Sequence, residues 1–249
     1  MIRSALFLSP HLDDVAFSCG GTVIRLVEEG WRVRLCTVFT ASVPEPKGFA
    51  LACQLDKGLN ADVDYMALRR AEDHDFARLA GVVDPLHLPY REAPHRGYEN
   101  AADLFGGIHD GDEIRRELAD RFTELATGAE IIFGPQGLGN HVDHLQVIRA
   151  LEAADLIART VWYTDIPYAI RYPEARPSGL LPGGLREQSC AIDLQRKIAC
   201  CSAYRTQVPF QFGSDEGMAA QLTRFHVRER GYGETFLADT EIPASSLAN

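Results

Sequence analysis

Two short stretches of this 249-residue sequence combine histidine with acidic residues in a pattern that can hold a metal ion. The first is HLDD at residues 11–14, and the second is HVDH at residues 141–144. Two imidazoles and one carboxylate, with water as the fourth ligand, make an open catalytic zinc site. A carboxylate that stays off the metal can act as a general base toward the metal-bound water. Together the two stretches indicate metal-assisted hydrolysis.

Spacing within each stretch suggests how these roles are divided. Asp13 and Asp14 are adjacent and point in different directions, so one can bind metal while the other stays free. His141 and His144 are three residues apart and project from one face of the first turn of a helix. The spacing leaves open which of these two histidines binds metal. A histidine across the site could protonate the leaving amine or stabilise an oxyanion.

A purely structural role for these residues is the alternative. An aspartate at the start of a helix often caps it, and a histidine there can serve in capping or packing. Each stretch alone is compatible with that interpretation. Because both stretches come at a strand-to-helix junction, coincidence would have to act twice, so we favour the metal site.

The flanking patterns predict where the two stretches lie. Ser4–Ser9 is a short apolar run typical of a buried strand, residues 13–30 have helical spacing, and residues 31–40 form a second strand. This β-α-β unit favours parallel strands. HVDH similarly follows the strand AEIIFGPQG and starts the helix NHVDHLQVIRALEAADL. Both stretches should therefore lie at the carboxyl ends of parallel strands, where open α/β sheets bind ligands.

The rest of the chain continues the alternation of strands and helices. Residues 41–65 are rich in Pro and Gly and are predicted to be a long irregular loop or lid. Further helices are predicted at MALRRAEDHDFARLAGV, GDEIRRELADRFTELATG and LQRKIACCSAYRTQV, and further strands at VDPLHLPY, RTVWYTDIPY and EQSCAIDL. The pattern predicts a single α/β domain whose open, mostly parallel sheet has helices on both faces.

Composition restricts the class of partner. The net charge of −10, from 35 acidic and 25 basic residues, argues against nucleic acid or an anionic membrane as the main partner. No apolar run approaches the ~20 residues that a membrane span needs. The N-terminal apolar stretch is too short for a signal peptide, so we expect a cytoplasmic protein whose six cysteines form no structural disulfides.

The motifs, in this order and at this separation, resemble those of the PIG-L/LmbE-like N-acetylglucosaminyl deacetylase family. HLDD and HVDH correspond to its HPDD and HPDH motifs, Gly20-Gly21 to its glycine pair, and Arg69 with Glu72 to its RxxE helix. The likeness covers residues 1–156 and continues more faintly through residues 157–249, in KIACCSAYRTQ and GYGETF. It implies a Rossmann-like fold in one domain, whose C-terminal part completes the sheet and the rim of the site.

The resemblance also implies roles for individual residues. His11, Asp14 and His144 would bind zinc, with iron as a further candidate for a site of two histidines and one carboxylate. Asp13 would be the general base. His141 would stabilise the tetrahedral intermediate and act as general acid, and Asp143 would set its orientation. Arg69 is a candidate contact for substrate hydroxyls.

Two departures from the family motifs affect geometry rather than chemistry. Leu12 and Val142 replace the usual prolines, which removes a fixed φ but no ligand.

Tyr90 and Arg91 are our own candidates for sugar contacts, and Asp165 falls at the end of a predicted strand, consistent with the rim of the site.

The function predicted from these features is the zinc-dependent removal of the N-acetyl group from a small molecule or glycoconjugate that contains N-acetylglucosamine. One alternative is a related metal-dependent amidase that acts on a thiol conjugate or an antibiotic precursor. A second alternative is a non-catalytic module that binds a sugar or a nucleotide. No G-x-G-x-x-G follows a strand, which counts against a dinucleotide.

Overall fold

The alternation of apolar strands with amphipathic helices produces a seven-stranded mixed sheet in the computed structural model, which describes residues 2–239. The order across the sheet is β3-β2-β1-β4-β5-β7-β6. The strands are β1 (Ser4–Ser9), β2 (Arg32–Thr37), β3 (Leu86–His87), β4 (Ile131–Pro135), β5 (Thr160–Tyr163), β6 (Arg186–Ala191) and β7 (Gly233–Ala238). The predicted α/β class is confirmed.

The first five strands are parallel, and β7 is antiparallel to both β5 and β6. Phe7 at the centre of β1 is paired with Leu35 on β2 and with Phe133 on β4. The chain builds outward from β1 first toward β2 and β3, and then returns to place β4 on the other side. The ends of β1 and β4 therefore flank the position where the strand order reverses, which is where such sheets bind ligands.

Helices cover both faces of the sheet. They are α1 (Asp14–Glu28), α2 (Gly48–Leu55), α3 (Tyr65–Ala80), α4 (Ala101–Gly106), α5 (Ile114–Leu125), α6 (Val142–Ala153), α7 (Tyr168–Arg171), α8 (Leu194–Cys201), α9 (Val208–Phe212) and α10 (Asp215–His226). Successive residues of β1 face opposite sides: Phe7 packs with α1, α3 and α8, whereas Leu6 and Leu8 pack with α5 and α6. The sheet therefore lies between two apolar layers.

Residues 41–65 were predicted to be irregular, and this prediction was wrong in part. Gly48–Leu55 forms the helix α2, and the amide of Gln54 donates to the carbonyls of Asn60 and Val63 in the segment that follows. The helix is only eight residues long and has Pro44, Pro46 and Gly58 nearby, so its pattern was hidden among residues typical of loops.

The C-terminal third contains elements that the sequence patterns did not predict, namely α7, α9, α10 and β7. The Glu234 carboxylate on β7 is completely buried and accepts hydrogen bonds from the backbone N–H groups of Gly21 and Thr22 and from the ammonium group of Lys197 on α8. These contacts attach the late elements to α1. They account for the burial of two late residues that the family resemblance had singled out.

All six cysteines are free thiols, and five of them are buried. In residues 2–239 no helix is both long and apolar enough to cross a bilayer.

Candidate active site

The fold brings the two histidine-containing stretches together. HLDD follows β1 and HVDH follows β4, and since these strands are parallel neighbours, their carboxyl ends meet at one edge of the sheet. One ligand atom from each of His11, His141 and His144 lies within 4.8 Å of the other two. Residues about 130 positions apart in the chain thus form one cluster.

Asp14 lies between two of these histidines. Its Oδ2 is 3.2 Å from His11 Nδ1 and 3.3 Å from His144 Nε2. His144 Nε2 is buried and makes no hydrogen bond, which is rare for a buried polar atom. A divalent cation among these three atoms would give that nitrogen its missing partner, so the residues fit a metal of the kind that two histidines and one carboxylate bind.

Two further carboxylates fix the imidazoles in this arrangement. Asp165 Oδ1 lies 2.6 Å from His144 Nδ1, and Asp143 Oδ2 lies 2.9 Å from His11 Nε2. When each carboxylate accepts the N–H of its histidine, the lone pair of the other ring nitrogen faces Asp14. Partners of this kind orient metal-binding histidines and make them more basic.

The charge balance of the cluster also favours a cation. Burial alone lowers the pKa of His144, but Asp14 and Asp165 raise it to about 9. Burial raises the pKa of Asp14, yet His144 and His11 hold it well below its usual range. Buried carboxylates that are ionised require positive charge nearby, which protonated imidazole or a metal ion can supply.

Asp13 stays outside the contacts between the histidines and Asp14. It precedes α1, but its side chain makes no capping hydrogen bond, and Ser9 Oγ instead accepts the N–H of Val15. The capping alternative therefore does not explain this residue. Burial raises the pKa of Asp13 to about 7, although the nearby Arg69 opposes the shift. A carboxylate with such a pKa can accept and return a proton near neutral pH.

Arg69 lines the site and is engaged with protein groups. One of its terminal nitrogens donates to Glu92 at 2.7 Å, and the other lies 3.0 Å from the carbonyl of Leu12 and 3.3 Å from Asp13. Its position allows substrate contact, but its clearest role in this structure is to hold Asp13.

His141 is the N-cap of α6, and its Nδ1 accepts the backbone N–H of Asp143 at 3.2 Å. Burial and the neighbouring His11 lower the pKa of His141 to about 3. A neutral imidazole that accepts at Nδ1 carries its proton on Nε2 and can donate from there. The Asp143 side chain was expected to orient His141, but its carboxylate contacts His11 and, at 2.8 Å, Arg96.

The pocket above this cluster has a volume of about 360 Å³. It is lined by Arg69 and Glu92 and by five residues of the 41–65 segment, namely Phe49, Cys53, Asp56, Lys57 and Tyr65. Our candidates for sugar contacts, Tyr90 and Arg91, do not line it. Tyr90 packs against the α5–α6 side of the core and Arg91 is exposed, whereas their neighbour Glu92 faces the pocket.

Glu92 and Arg96 were not predicted to belong to the site, and Asp165 was predicted only at its rim. The position of Asp165 just after β5 gave some signal, because β5 lies beside β4. Glu92 and Arg96 lie in an irregular segment around the short 3-10 helix Ala93–His95, where no periodicity indicates direction.

The sequence of this chain is similar to those of known deacetylases. Residues 6–154 match the family model PIG-L, described as GlcNAc-PI de-N-acetylase. The chain is 33% identical to a 2'-N-acetylparomamine deacetylase of Streptomyces fradiae over 88% of this chain and 70% of that protein. It is 30% identical to a 1D-myo-inositol 2-acetamido-2-deoxy-alpha-D-glucopyranoside deacetylase of Catenulispora acidiphila over 70% of this chain and 58% of that protein.

Solved structures of two deacetylases have a similar fold. The zinc-inhibited form of teicoplanin deacetylase has a TM-score of 0.79 at 22% identity, and the match covers 94% of this chain and 97% of that one. The deacetylase of the A40926 pseudoaglycone has a TM-score of 0.74 at 26% identity, with 94% and 96% covered.

Proposed function

Because the chain belongs to the PIG-L family of metal-dependent deacetylases, we propose that the cluster at the ends of β1 and β4 removes an N-acetyl group from an amino sugar. The chain is an amide hydrolase of this family, and its relatives act on small acetylated amino sugars. The observation that carries the site assignment is the buried Nε2 of His144, which makes no hydrogen bond and faces Asp14, while Asp13 contacts Arg69 and neither histidine.

We assign His11, Asp14 and His144 as the metal ligands and zinc as the metal, with iron as the alternative that the same ligands accept. A bound metal ion acidifies a coordinated water and polarises the amide oxygen. His11 and His144 present nitrogen lone pairs for this purpose because Asp143 and Asp165 hold their opposite nitrogens.

Asp13 accepts a proton from the attacking water, since burial places its pKa near neutrality and Arg69 holds its carboxylate. His141 donates its Nε2 proton in a hydrogen bond to the amide oxygen as negative charge develops there. Asp13 then returns its proton to the departing amine. Asp13 therefore acts as both base and acid, and neutral His141 stabilises the oxyanion.

The substrate we propose is an amino sugar attached to a further ring, because the relatives named above act on acetylated paromamine and on an inositol glycoside. The deacetylase of the antimicrobial A40926 pseudoaglycone, 26% identical to this chain, favours an antibiotic precursor as a second candidate substrate. Acetate release should be measured over free N-acetylglucosamine, simple N-acetylglucosaminides, 2'-N-acetylparomamine and the inositol glycoside, with and without a chelator.

A pair of adjacent substitutions tests the division of roles. Asp13→Asn should retain bound zinc and lose at least about a hundredfold in kcat, since general bases contribute factors of this size. Asp14→Asn should lose zinc itself, because a metal ligand is removed. Metal content and acetate release are measured on both proteins. Parental kcat in Asp13→Asn, or parental zinc content in Asp14→Asn, would contradict the assignment.

A further inference from the structure

The lining of the metal pocket differs in polarity between its two sides. On the side of Asp13 the pocket is lined by charged groups, among them Arg69, Glu92 and Lys57. Arg69 connects these groups, because it contacts both Asp13 and Glu92. This side suits the hydroxyl groups of a sugar, which need hydrogen-bond partners when they are buried.

The side of His141 is mainly apolar, although Arg171, on the same helix as Tyr168, also lines the pocket. The ring of Phe105 stands edge-on to His141 with 5.4 Å between centroids, and it lies 6.1 Å from the ring of Tyr168. Tyr168 in turn lies 5.5 Å from His144. Leu104 completes this apolar side. The apolar part of an N-acylated sugar is its acyl chain. Burial against these side chains favours placing the acyl chain on the side of His141.

Behind Phe105 lies a second concavity, a groove of about 960 Å³. Phe105 lines both this groove and the metal pocket, and so it separates them. The groove has apolar lining from Ile108, Leu145 and Leu180, and its other walls carry charged residues, among them Asp110, Arg115 and Glu152. Asn140 lines it as well, directly before His141 in the chain, so the groove lies close to the reacting groups.

Phe105 is placed to act as a wall whose size matters. It is the penultimate residue of the short helix α4, and 42% of it is exposed. Gly107 follows the helix with φ of 113°, a conformation that glycine adopts without strain. The ring is therefore held at a helix end and is not part of the main core, so it can be changed without removing support from the sheet.

We propose that Phe105 closes the acyl end of the pocket and restricts the reaction to acetyl, and that removing its ring opens a path for longer acyl chains into the groove. This proposal rests on the proposed deacetylase function. It assigns the acyl group to the side of His141 and the sugar to the side of Asp13. The preference for acetyl would then come from a steric limit set by one side chain.

The test compares Phe105→Ala and Phe105→Leu with the parent on N-acetyl, N-butyryl and N-hexanoyl forms of one amino sugar. Each buried methylene changes affinity by about fourfold, and butyryl has two more methylenes than acetyl, so the ratio of kcat/KM for butyryl over acetyl should rise about fifteenfold in Phe105→Ala. Phe105→Leu should show a smaller rise, because part of the wall remains. Separate kcat and KM values, and competitive inhibition by a non-hydrolysable N-hexanoyl analogue, are measured on each protein. Tighter inhibition of Phe105→Ala than of the parent would show that the change lies in binding.

Phe210→Ala is the matched control, because Phe210 is similarly exposed and lines the metal pocket but does not line the groove. Whatever its overall rate, its butyryl-to-acetyl ratio should equal that of the parent. An unchanged ratio in both Phe105 variants overturns the proposal, as does an equal rise in Phe210→Ala. A parent that releases neither acetate nor longer acids from any amino sugar would instead contradict the proposed function.

Discussion

At the scale of single residues, the site depends on pairs of groups that fix one another. His144 Nδ1 is held by Asp165, which also accepts the backbone N–H of Leu138, so the imidazole and the turn after β4 are fixed together. The other nitrogen of His144 is left to face Asp14. The metal affinity of the site should therefore depend on a carboxylate that does not touch the metal.

Replacing Asp165 with Asn tests this dependence. The amide has the size of the carboxylate but no charge, so it should orient and polarise His144 less well, and zinc affinity should fall by about 10- to 100-fold. Competition with a chromophoric chelator measures the affinity. Asp73→Asn is the control, because Asp73 makes a similar buried contact to His87 outside the site, and its zinc affinity should match that of the parent. Equal affinities for the Asp165 variant and the parent would show that this contact does not tune the metal.

At the scale of secondary-structure elements, the glycine pair of α1 determines how closely the next layer approaches. A Cβ on Gly21 would lie 2.7 Å from Cγ2 and 2.8 Å from Cβ of Ile192, just after β6. A Cβ on Gly20 would lie 3.4 Å from the ring of Phe76, an ordinary contact. Two adjacent glycines of one helix therefore differ in what they permit.

We expect Gly21→Ala to lower the free energy of unfolding by about 1–3 kcal/mol, the usual cost of overpacking a core. Gly20→Ala should stay within about 1 kcal/mol of the parent, since helix propensity favours alanine. Urea unfolding followed by circular dichroism measures both. The double variant Gly21→Ala/Ile192→Ala should recover part of the loss if the clash is its cause. Equal stabilities of the two single variants would refute the close-approach explanation.

At the scale of the whole molecule, a buried polar network attaches the C-terminal elements to the sheet. Lys197 Nζ lies 2.7 Å from Glu234 and 2.8 Å from His226 Nε2, while His226 Nδ1 faces the carbonyl of Gly233 at 3.1 Å. Burial, reinforced by the charge of Lys197, lowers the pKa of His226 to about 2. The folded protein therefore keeps this imidazole neutral.

This network predicts that stability falls in acid. Below pH 6.5 the unfolded chain binds a proton at His226 that the folded chain does not, so the free energy of unfolding decreases as pH falls. Between pH 7.5 and 5.5 this group should account for about 1.4 kcal/mol of the decrease. His226→Gln should remove that share from the difference between the two pH values, whereas His74→Gln, at an exposed position of α3, should not. Identical pH dependence in the parent and His226→Gln would contradict the prediction.

The sequence by itself determined the alternation of strands and helices around β1 and β4. It also determined the two stretches that carry the chemistry. Those features are local: the apolar runs around Phe7 and Phe133 specify buried strands, and the residues after them need only the parallel pairing of β1 and β4 to converge. The elements that the sequence patterns missed were also missed for local reasons. The helix α2 is short and lies among prolines, and β7 lacked a recognised strand pattern.

Only the tertiary structure decided which groups act on each other. The contacts of Asp143 with His11, of Asp165 with His144 and of Glu92 with Arg69 join residues from separate elements. Side-chain direction in the irregular segments after the strands follows from packing rather than from period, so spacing could not show that Glu92, and not Tyr90 or Arg91, faces the pocket. The position of Phe105 between two cavities likewise exists only once α4 is packed beside α6.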